Sequence, residues 1–263
     1  HGTSKHLNTW QMSMPPAQLG CAYFNFTASH DGIGMRPAEG LLSEGDIERV
    51  IDTVQQFGGL LSMRQMPDGT TRPYEINIAL IDALKGTIDG VDGWNIERFL
   101  CSQIIAMGLE GIPGFYIHSL LGTGNDHDGV EKTGHNRAIN RHRWHYPDLL
   151  EQLDDPSTTH ARVFSALTQT LKTRSRQPAF HPNATQFTLQ LGEQFFGFWR
   201  QSIDRSQSIF AIHNLTNQTV SIPVMSLNLI GGESWSDLIS GEDISSIGGD
   251  IEFTPYQCRW ITN

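Results

Sequence analysis

The spacing of apolar and polar residues predicts two short buried strands in the first part of the chain. Gly20–Thr27 is an apolar run, rich in aromatic residues and too short for a helix, and Gly111–Ile117 is a second run of this kind. A polar segment follows each of them. This order is typical of strand–loop units in a parallel α/β fold, where the functional loops follow the strands.

Apolar residues at helical spacing predict three helices. Ser43 stands in the position of a helix cap, and within Ile47–Val54 apolar residues recur at i, i+3, i+4 and i+7. A second helix is predicted from a cap at Asn95 to a stop at Gly108. The third predicted helix covers Thr159–Thr173.

Two polar stretches interrupt this pattern and predict exposed loops. Met63–Pro73 contains a Pro-Asp-Gly turn signal, and Gly122–His145 carries four histidines with little hydrophobic periodicity. The second stretch is long enough for a functional role to be expected.

After Pro182 the spacing changes from helical to alternating, which predicts strands. Apolar residues alternate in Phe187–Leu191 and Phe196–Phe198, and the closing segment Ile251–Ile261 also has the pattern of a strand. No helix is predicted there. We therefore expect a β-rich module in the last part of the chain, with a domain boundary near residue 183.

The composition is that of a well-packed soluble chain with an acidic balance. With 18 Lys and Arg against 28 Asp and Glu, the formal net charge is −10, so nucleic acid is not an expected partner. No apolar run is long enough for a membrane-spanning helix. Three widely spaced cysteines favour a reducing cytoplasm over a disulfide framework. The start at His1, without an initiator Met or a signal peptide, predicts a cleaved chain or a fragment.

A candidate catalytic turn, Ser29–Gly34, lies where the first predicted strand ends. This is the place where α/β enzymes carry catalytic groups. Asp31 is suited to stabilise developing positive charge, and His30 is suited to donate a hydrogen bond to a substrate hydroxyl. The alternative is a structural Asx turn whose glycines allow tight geometry.

A second candidate is the loop Gly134–His142, which holds Arg137 and Arg141. Two guanidinium groups on a polar loop are suited to bind a ligand oxygen or a carboxylate. The alternative is a solvated loop whose arginines pair with nearby acidic residues, namely Asp126, Asp128 or Glu131.

No cofactor and no metal are predicted. The histidines of the long polar stretch match no zinc-binding spacing, and Asn125–Gly129 has only part of the ligands of a calcium-binding loop. The sequence signatures of serine hydrolases and of nucleotide-binding loops are lacking.

Four segments, in their order along the chain, resemble the sucrose phosphorylase subgroup of glycoside hydrolase family 13. They are Phe24–Gly34, Pro73–Asn77, Gly111–Tyr116 and Asn136–His142. The resemblance covers nearly the whole chain and implies the α/β fold class. Residues 1–182 would be the C-terminal part of a (β/α)8 TIM barrel, with its seventh and eighth units and an inserted loop and helix region at about residues 40–93. Residues 183–263 would form a small all-β domain.

The same resemblance implies roles for three residues. Asp31 matches the catalytic carboxylate that stabilises the transition state, His30 the histidine that contacts the glucosyl hydroxyls, and Arg137 the arginine that holds the donor glucose. The nucleophile and the acid/base of the family match no position here, because they lie on earlier barrel strands. We therefore expect this chain to be inactive by itself.

The segment before Tyr74 resembles the acceptor loop of the subgroup. Sucrose phosphorylases carry Asp two residues before this tyrosine and Gln just after it, whereas Arg72 and Glu75 stand in those places here. The cation suits phosphate or an anionic acceptor, and Glu75 is suited to accept hydrogen bonds from polyol hydroxyls. The expected acceptor is therefore not plain fructose but something like glycerate, glycerol or a sugar phosphate.

The resemblance implies a retaining α-glucosyl phosphorylase, a glycosyltransferase. It would convert an α-glucoside such as sucrose, sucrose phosphate or glucosylglycerate, with inorganic phosphate, into α-glucose 1-phosphate. Two alternatives stay open: a hydrolase or transglucosidase of the same family, and a noncatalytic carbohydrate-binding fragment. The implied partners are the sugar, inorganic phosphate and the N-terminal remainder of the barrel, and a homodimer is left open.

Overall fold

The computed structural model describes residues 1–18, 20–227, 234–244 and 248–263. In these residues the helices are α1 Lys5–Ser13, α2 Glu44–Gln56, α3 Leu80–Ala83, α4 Asn95–Gly108, α5 Ile117–Leu120, α6 His127–Thr133, α7 Tyr146–Asp154 and α8 Thr159–Arg174. The strands are β1 Phe24–Asn25, β2 Ile33–Gly34, β3 Leu60–Gln65, β4 Thr71–Asn77, β5 Gly86–Thr87, β6 Gly90–Val91, β7 Ile112–Pro113, β8 Thr185–Leu189, β9 Phe195–Gln201, β10 Ser208–Asn214, β11 Val220–Pro223, β12 Ser236–Asp237, β13 Asp250–Phe253 and β14 Cys258–Thr262.

The chain divides into two compact units. The first consists of His1–Asn25, Leu100–Gly114 and Thr168–Asn263, and the second of Phe26–Phe99 and Phe115–Leu167. Each unit is described by itself below. The division into domains at residues 1–182 and 183–263 stays a prediction.

A five-stranded antiparallel sheet in the order β12-β14-β10-β9-β8 is the centre of the first unit. β10 pairs with β9 along its whole length, from Ser208 opposite Gln201 to Asn214 opposite Phe195. The strands that the alternation predicts are thus present. The closing segment is two strands and not one, because a turn in which Tyr256 has a φ of 55° separates β13 from β14.

The core of the first unit is apolar and rich in aromatic residues. One buried cluster of this core consists of Phe195, Phe210, Ile212, Ile222, Leu227, Trp235, Ile244, Ile251, Phe253 and Ile261. Burial of each such side chain contributes roughly 1.5–3 kcal/mol. Exposed and buried residues alternate in β13, whereas the central strands β9, β10 and β14 are buried along nearly their whole length.

The two strands predicted in the first part of the chain are shorter and more exposed than expected. β1 and β7 pair in parallel, with Phe24 opposite Ile112. Phe24 is 65% exposed and Ile112 is 49% exposed. The prediction of buried strands is wrong for these residues, because a sheet of two strands lacks the neighbours and covering helices that bury a parallel sheet.

The second unit contains a three-stranded antiparallel sheet in the order β2-β4-β3. β3 and β4 form a hairpin over residues 60–77, so the predicted loop is wrong at residues 63–65 and 71–73. The exposed side chains of this hairpin are largely polar, so the segment has the composition of a loop. The turn signal is correct, because Gly69 has a φ of 84° and its N–H donates to the Met66 carbonyl at 3.0 Å.

Helix α2 lies where the sequence predicts it. Ser43 Oγ accepts a hydrogen bond from the N–H of Asp46 at 3.2 Å, and the Ser43 hydroxyl donates to Asp46 Oδ2 at 2.6 Å. Val54 packs in a buried cluster with Ile76 and Ile78. The cap and the apolar face therefore determine this helix together.

Helices α4 and α8 also agree with the sequence prediction, whereas α6 does not. α6 lies inside the predicted loop Gly122–His145. Its ends fix it: Asp126 Oδ1 accepts a hydrogen bond from the N–H of Gly129 at 2.7 Å, and Gly134 follows with a φ of 68°. Helices α1 and α7 are likewise unpredicted. In the described part of the chain, no helix is long and apolar enough to cross a membrane.

Candidate active site

The turn Ser29–Gly34 in the second unit positions the candidate catalytic carboxylate. The N–H of Asp31 donates to Ser29 Oγ at 3.2 Å. Gly32 has a φ of 117°, and a Cβ atom there would lie 2.3 Å from the carbonyl oxygen of Ile76. Glycine is therefore required at residue 32, as expected for a turn whose glycines allow tight geometry. The same turn brings the Asp31 side chain next to the basic residues described below.

Asp31 contacts three basic side chains. Its Oδ1 lies 2.9 Å from Arg137 Nη1, 3.1 Å from Arg141 Nη2 and 3.2 Å from His30 Nε2. Arg141 Nε also donates to the carbonyl oxygen of His30 at 2.7 Å. The Asp31 side chain is 36% exposed, so this cluster is accessible to a ligand.

A buried carboxylate holds Arg137 through a second set of contacts. Arg137 Nε and Nη2 donate to Glu75 Oε1 and Oε2 at 3.0 and 2.7 Å. Glu75 is only 5% exposed. Hydrogen bonds to Glu75 and its charge, with a smaller contribution from Asp31, raise the pKa of Arg137. Arg137 thus bridges two carboxylates in a fixed, bidentate orientation.

Two amide side chains connect these groups to the backbone. Asn77 Nδ2 donates to Glu75 Oε1 and, at 2.9 Å, to the carbonyl oxygen of Asp31. Asn140 Nδ2 donates to the carbonyl oxygen of Ser29 at 2.9 Å. The catalytic turn, strand β4 and the segment after α6 are therefore held together around Asp31.

Asn77, Tyr116 and Asn140 are residues of this cluster that the sequence reasoning did not assign. The Tyr116 hydroxyl donates to the carbonyl oxygen of Asn140 at 2.7 Å, and burial raises the pKa of Tyr116. All three residues lie within segments that carry the family resemblance. Their location in these segments is the only sequence feature that points to the site, because no local pattern distinguishes the three residues from their neighbours.

The remaining predicted residues, Arg72 and Tyr74, lie on β4. Tyr74 is partly buried and contributes to the raised pKa of Arg137, which places it beside the cluster. Arg72 is exposed and stands opposite Arg64 in the hairpin. Among the described residues, no hydrogen bond or ion pair joins Arg72 to Asp31 or Arg137.

The arginines do not pair with the acidic residues that the solvated-loop alternative proposes. Arg137 pairs with Asp31 and Glu75, and Arg141 pairs with Asp31. That alternative is therefore wrong for both arginines, because distant strands bring other carboxylates to them. The described residues contain no group of three or more His, Cys, Asp or Glu arranged to hold a metal.

The geometry suits charge stabilisation at a sugar ring. A partly exposed carboxylate stabilises positive charge that develops on a bound substrate. The N–H groups of arginine donate hydrogen bonds to hydroxyl oxygens, and a ring nitrogen of histidine donates to a hydroxyl group or accepts from it. The cluster of Asp31, His30 and Arg137 is therefore able to bind a polyhydroxylated substrate and to stabilise a cationic transition state.

Curated relatives match this chain over nearly its whole length, whereas no protein-family profile matches it. The chain is 34% identical to glucosylglycerate phosphorylase of Escherichia coli (strain K12) over 256 residues, which are 97% of this chain and 44% of the relative. It is 38% identical to glucosylglycerate phosphorylase of Spirochaeta thermophila over an alignment of 266 positions, which covers 98% of this chain and 45% of the relative.

The chain is also similar to sucrose phosphorylases. Its identity to sucrose phosphorylase of Bifidobacterium adolescentis is 25% over 163 residues, or 58% of this chain and 30% of the relative. A crystal structure of sucrose 6F-phosphate phosphorylase from Thermoanaerobacter thermosaccharolyticum matches with a TM-score of 0.68 and 21% identity, over 96% of this chain and 44% of the other. At that identity the match establishes the fold.

These matches define the class of the protein first: over nearly its whole length, the chain has the fold of the matched part of a sucrose 6F-phosphate phosphorylase. Within that class, the chain is a relative of the sucrose phosphorylase subgroup of glycoside hydrolase family 13 and matches its C-terminal portion, as the sequence resemblance predicts. The chain spans less than half the length of the glucosylglycerate phosphorylases it matches.

Proposed function

We propose that this chain is the C-terminal part of a retaining α-glucosyl phosphorylase, which transfers glucose from an α-glucoside to inorganic phosphate. The observation that carries the proposal is the partly exposed carboxylate of Asp31 held by Arg137 and Arg141. The names of the relatives, which are glucosylglycerate and sucrose phosphorylases, support this reaction class.

Asp31 is the carboxylate that stabilises the transition state in this proposal. During glycosyl transfer the anomeric carbon becomes oxocarbenium-like, and a nearby fixed carboxylate lowers the energy of that cation. The contacts with the two arginines support the assignment, because they hold Asp31 in one orientation. We assign His30 to the glucosyl hydroxyls and Arg137 to the donor glucose.

The proposed reaction is a double displacement. A carboxylate nucleophile attacks the anomeric carbon, and the glycosidic oxygen leaves with a proton from an acid/base residue. A phosphate oxygen then attacks the same carbon, the bond to the enzyme carboxylate breaks, and α-glucose 1-phosphate leaves with retained configuration. Neither the nucleophile nor the acid/base matches a position of this chain. We therefore propose that residues 1–182 supply the seventh and eighth barrel units and that this chain alone is inactive.

The proposed acceptor is an anion such as glycerate. Glucosylglycerate phosphorylases are 34% and 38% identical to this chain. Arg72 and Tyr74 are assigned to the acceptor side, where the exposed guanidinium of Arg72 is available to inorganic phosphate. A contact of Glu75 with acceptor hydroxyls stays a prediction. Glu75 Oε2 accepts a hydrogen bond from Arg137 and keeps a second lone pair, which could accept another.

An assay with the protein in its full natural length tests this function. The protein is incubated with glucosylglycerate, sucrose or sucrose phosphate, with and without inorganic phosphate, and glucose 1-phosphate and glucose are quantified. The proposal expects glucose 1-phosphate that forms only with phosphate. Equal glucose release without phosphate would identify a hydrolase, and binding without turnover would identify a noncatalytic protein. The cytoplasmic location and the homodimer stay predictions.

A further inference from the structure

An open cavity of about 940 Å³ lies in the second unit beside the candidate active site. Its walls come largely from α6 and from the segment that follows it, with Ser62 of β3 on another side. The charged residues that line it are Asp126, Asp128, Lys132, Arg137, Arg141 and Arg143. A chain with a net charge of −10 thus has a cavity in which basic residues outnumber acidic ones.

Lys132 and Arg143 are the basic residues of the cavity wall that pair with no carboxylate among the described residues. Among the described residues, neither side chain makes a hydrogen bond or an ion pair. Asp126 is already engaged, because its Oδ1 accepts from the N–H of Gly129 at 2.7 Å and its Oδ2 lies 3.2 Å from His142 Nδ1. Asp128 is the remaining carboxylate of the cavity wall, so two cations face one available anion.

Arg137 and Arg141 connect this cavity to Asp31. Both line the cavity, and both contact Asp31 Oδ1, at 2.9 and 3.1 Å. Each guanidinium has five N–H donors. The hydrogen bonds and ion pairs described above occupy Nε, Nη1 and Nη2 of Arg137 but only Nε and Nη2 of Arg141. Donors therefore remain for a ligand in the cavity next to the carboxylate.

We propose that this cavity binds the oxyanion of the acceptor, a carboxylate or a phosphate ester, and that Lys132 and Arg143 determine the preference for charged over neutral acceptors. The inference rests on the proposed function, because it places the acceptor beside Asp31. Lys132 and Arg143 contribute charge and N–H donors to the oxyanion, and Arg141 lies between the oxyanion and the reacting end of the acceptor. Asp128 opposes the binding of an anion through its like charge.

The experiment uses the full natural-length protein in the synthetic direction, with glucose 1-phosphate as donor. Two pairs of acceptors differ in one anionic group: glycerate against glycerol, and fructose 6-phosphate against fructose. The variants are Lys132→Ala, Arg143→Ala and Asp128→Asn. Lys172→Ala and Arg176→Ala are matched controls, because each removes one exposed cation from the other compact unit.

The proposal expects Lys132→Ala and Arg143→Ala to lower kcat/KM for the preferred anionic acceptor about tenfold, the size expected for a lost hydrogen bond to a charged group. The neutral acceptor should change by less than about twofold, and Asp128→Asn should raise kcat/KM for the anionic acceptor. Loss confined to glycerate identifies a carboxylate, and loss confined to fructose 6-phosphate identifies a phosphate ester.

Three results would overturn the proposal: equal losses for charged and neutral acceptors, equal losses in the control variants, or an effect confined to the KM for glucose 1-phosphate. Isothermal titration with glycerate and glycerol separates this inference from the proposed function. If the wild-type protein has no transferase activity but binds glycerate through Lys132, the proposed function fails and the anion site stands. If the protein is active and the variants keep the wild-type preference for the anion, only the site assignment fails.

Discussion

One carboxylate oxygen of Asp31, Oδ1, forms ion pairs with Arg137 and Arg141 and lies within 3.2 Å of His30 Nε2. We expect Asp31→Asn to lower kcat of the full natural-length protein roughly a hundredfold or more, because the amide keeps the shape but loses the negative charge that stabilises the transition state. Initial rates of glucose 1-phosphate formation measure this loss. Asp89→Asn is the control, since it removes an exposed carboxylate that does not contact Oδ1. A rate for Asp31→Asn within tenfold of the wild type would contradict the assigned role.

Glu75 and Arg137 provide a test of charge pairing in the same cluster. Arg137→Met leaves the Glu75 carboxylate buried without its ion pair, which should lower the free energy of unfolding by about 2 kcal/mol or more. Adding Glu75→Gln should recover most of that stability, because the buried charge is then gone. Urea denaturation of the wild type, the two single variants and the double variant measures the free energies of unfolding for this double-mutant cycle.

Activity should behave differently from stability in this cycle. The double variant restores no guanidinium for the donor glucose, so its rate should stay as low as that of Arg137→Met. If activity returned together with stability, Arg137 would have only a structural role.

The sequence predicts roles for His30, Asp31 and Arg137 from the segments that resemble the family, and the structure brings these three side chains together. The sequence does not predict the contacts of Asn77 or Asn140. Their partners are distant in sequence: Asn77 bonds to Asp31 across 46 positions and Asn140 to Ser29 across 111. Such pairings depend on how the turn, the hairpin and the loop are brought together, which no local pattern contains.

Helix α2 is the element that its local sequence determines most directly. Ser43→Ala should lower the free energy of unfolding by about 1 kcal/mol, because the hydroxyl no longer caps the N–H of Asp46. Ser175→Ala, which removes a serine hydroxyl at the end of α8, should cost less. Thermal unfolding monitored by circular dichroism measures both variants, and an equal cost would contradict the role of the cap.

Strand β10 contains a buried histidine whose protonation opposes folding. Burial lowers the pKa of His213 to about 4, and the Nδ1 atom donates to the Phe196 carbonyl at 2.8 Å. The unfolded state has a pKa of about 6.5 and binds the proton first. Stability is therefore full above pH 6.5 and falls as the pH is lowered from about 6.5 to about 4, by up to about 3 kcal/mol.

Denaturation at pH 7 and pH 4 measures this dependence by comparison with variants. His213→Gln should lose less stability between these pH values than the wild type, while His145→Gln, at an exposed position, should follow the wild type. Parallel pH profiles for wild type and His213→Gln would show that another group controls the change.

Elements with a cap or a continuous apolar face were predictable, and elements fixed by tertiary contacts were not. Helices α2, α4 and α8 carry their own periodicity. The β3–β4 hairpin has the composition of a loop because its outer positions are polar. Helix α6 is short and has no buried residue, and residues at its two ends cap it. β1 has the composition of a buried strand, yet Phe24 is exposed because only β7 pairs with it.

At the scale of the whole molecule, the account depends on groups from outside this chain. The chain spans 44% of the length of glucosylglycerate phosphorylase of Escherichia coli. We propose that the nucleophile and the acid/base lie outside it. We expect the chain alone to form no glucose 1-phosphate, and the full natural-length protein to form it. Assays of both at equal molar concentration measure this difference, and turnover by the isolated chain would show that its own residues supply the missing groups.

The central claim is that the Asp31 cluster belongs to an enzyme that transfers glucose to phosphate with retention of configuration. Time-resolved ¹H NMR of the full natural-length protein with glucosylglycerate and inorganic phosphate tests it most directly. The first glucosyl product shows whether phosphate or water received the glucose, and whether the anomeric carbon has the α or the β configuration. We expect α-glucose 1-phosphate as the first glucosyl product released, and its near loss in Asp31→Asn. A β-phosphate, or free glucose as the only product, would contradict it.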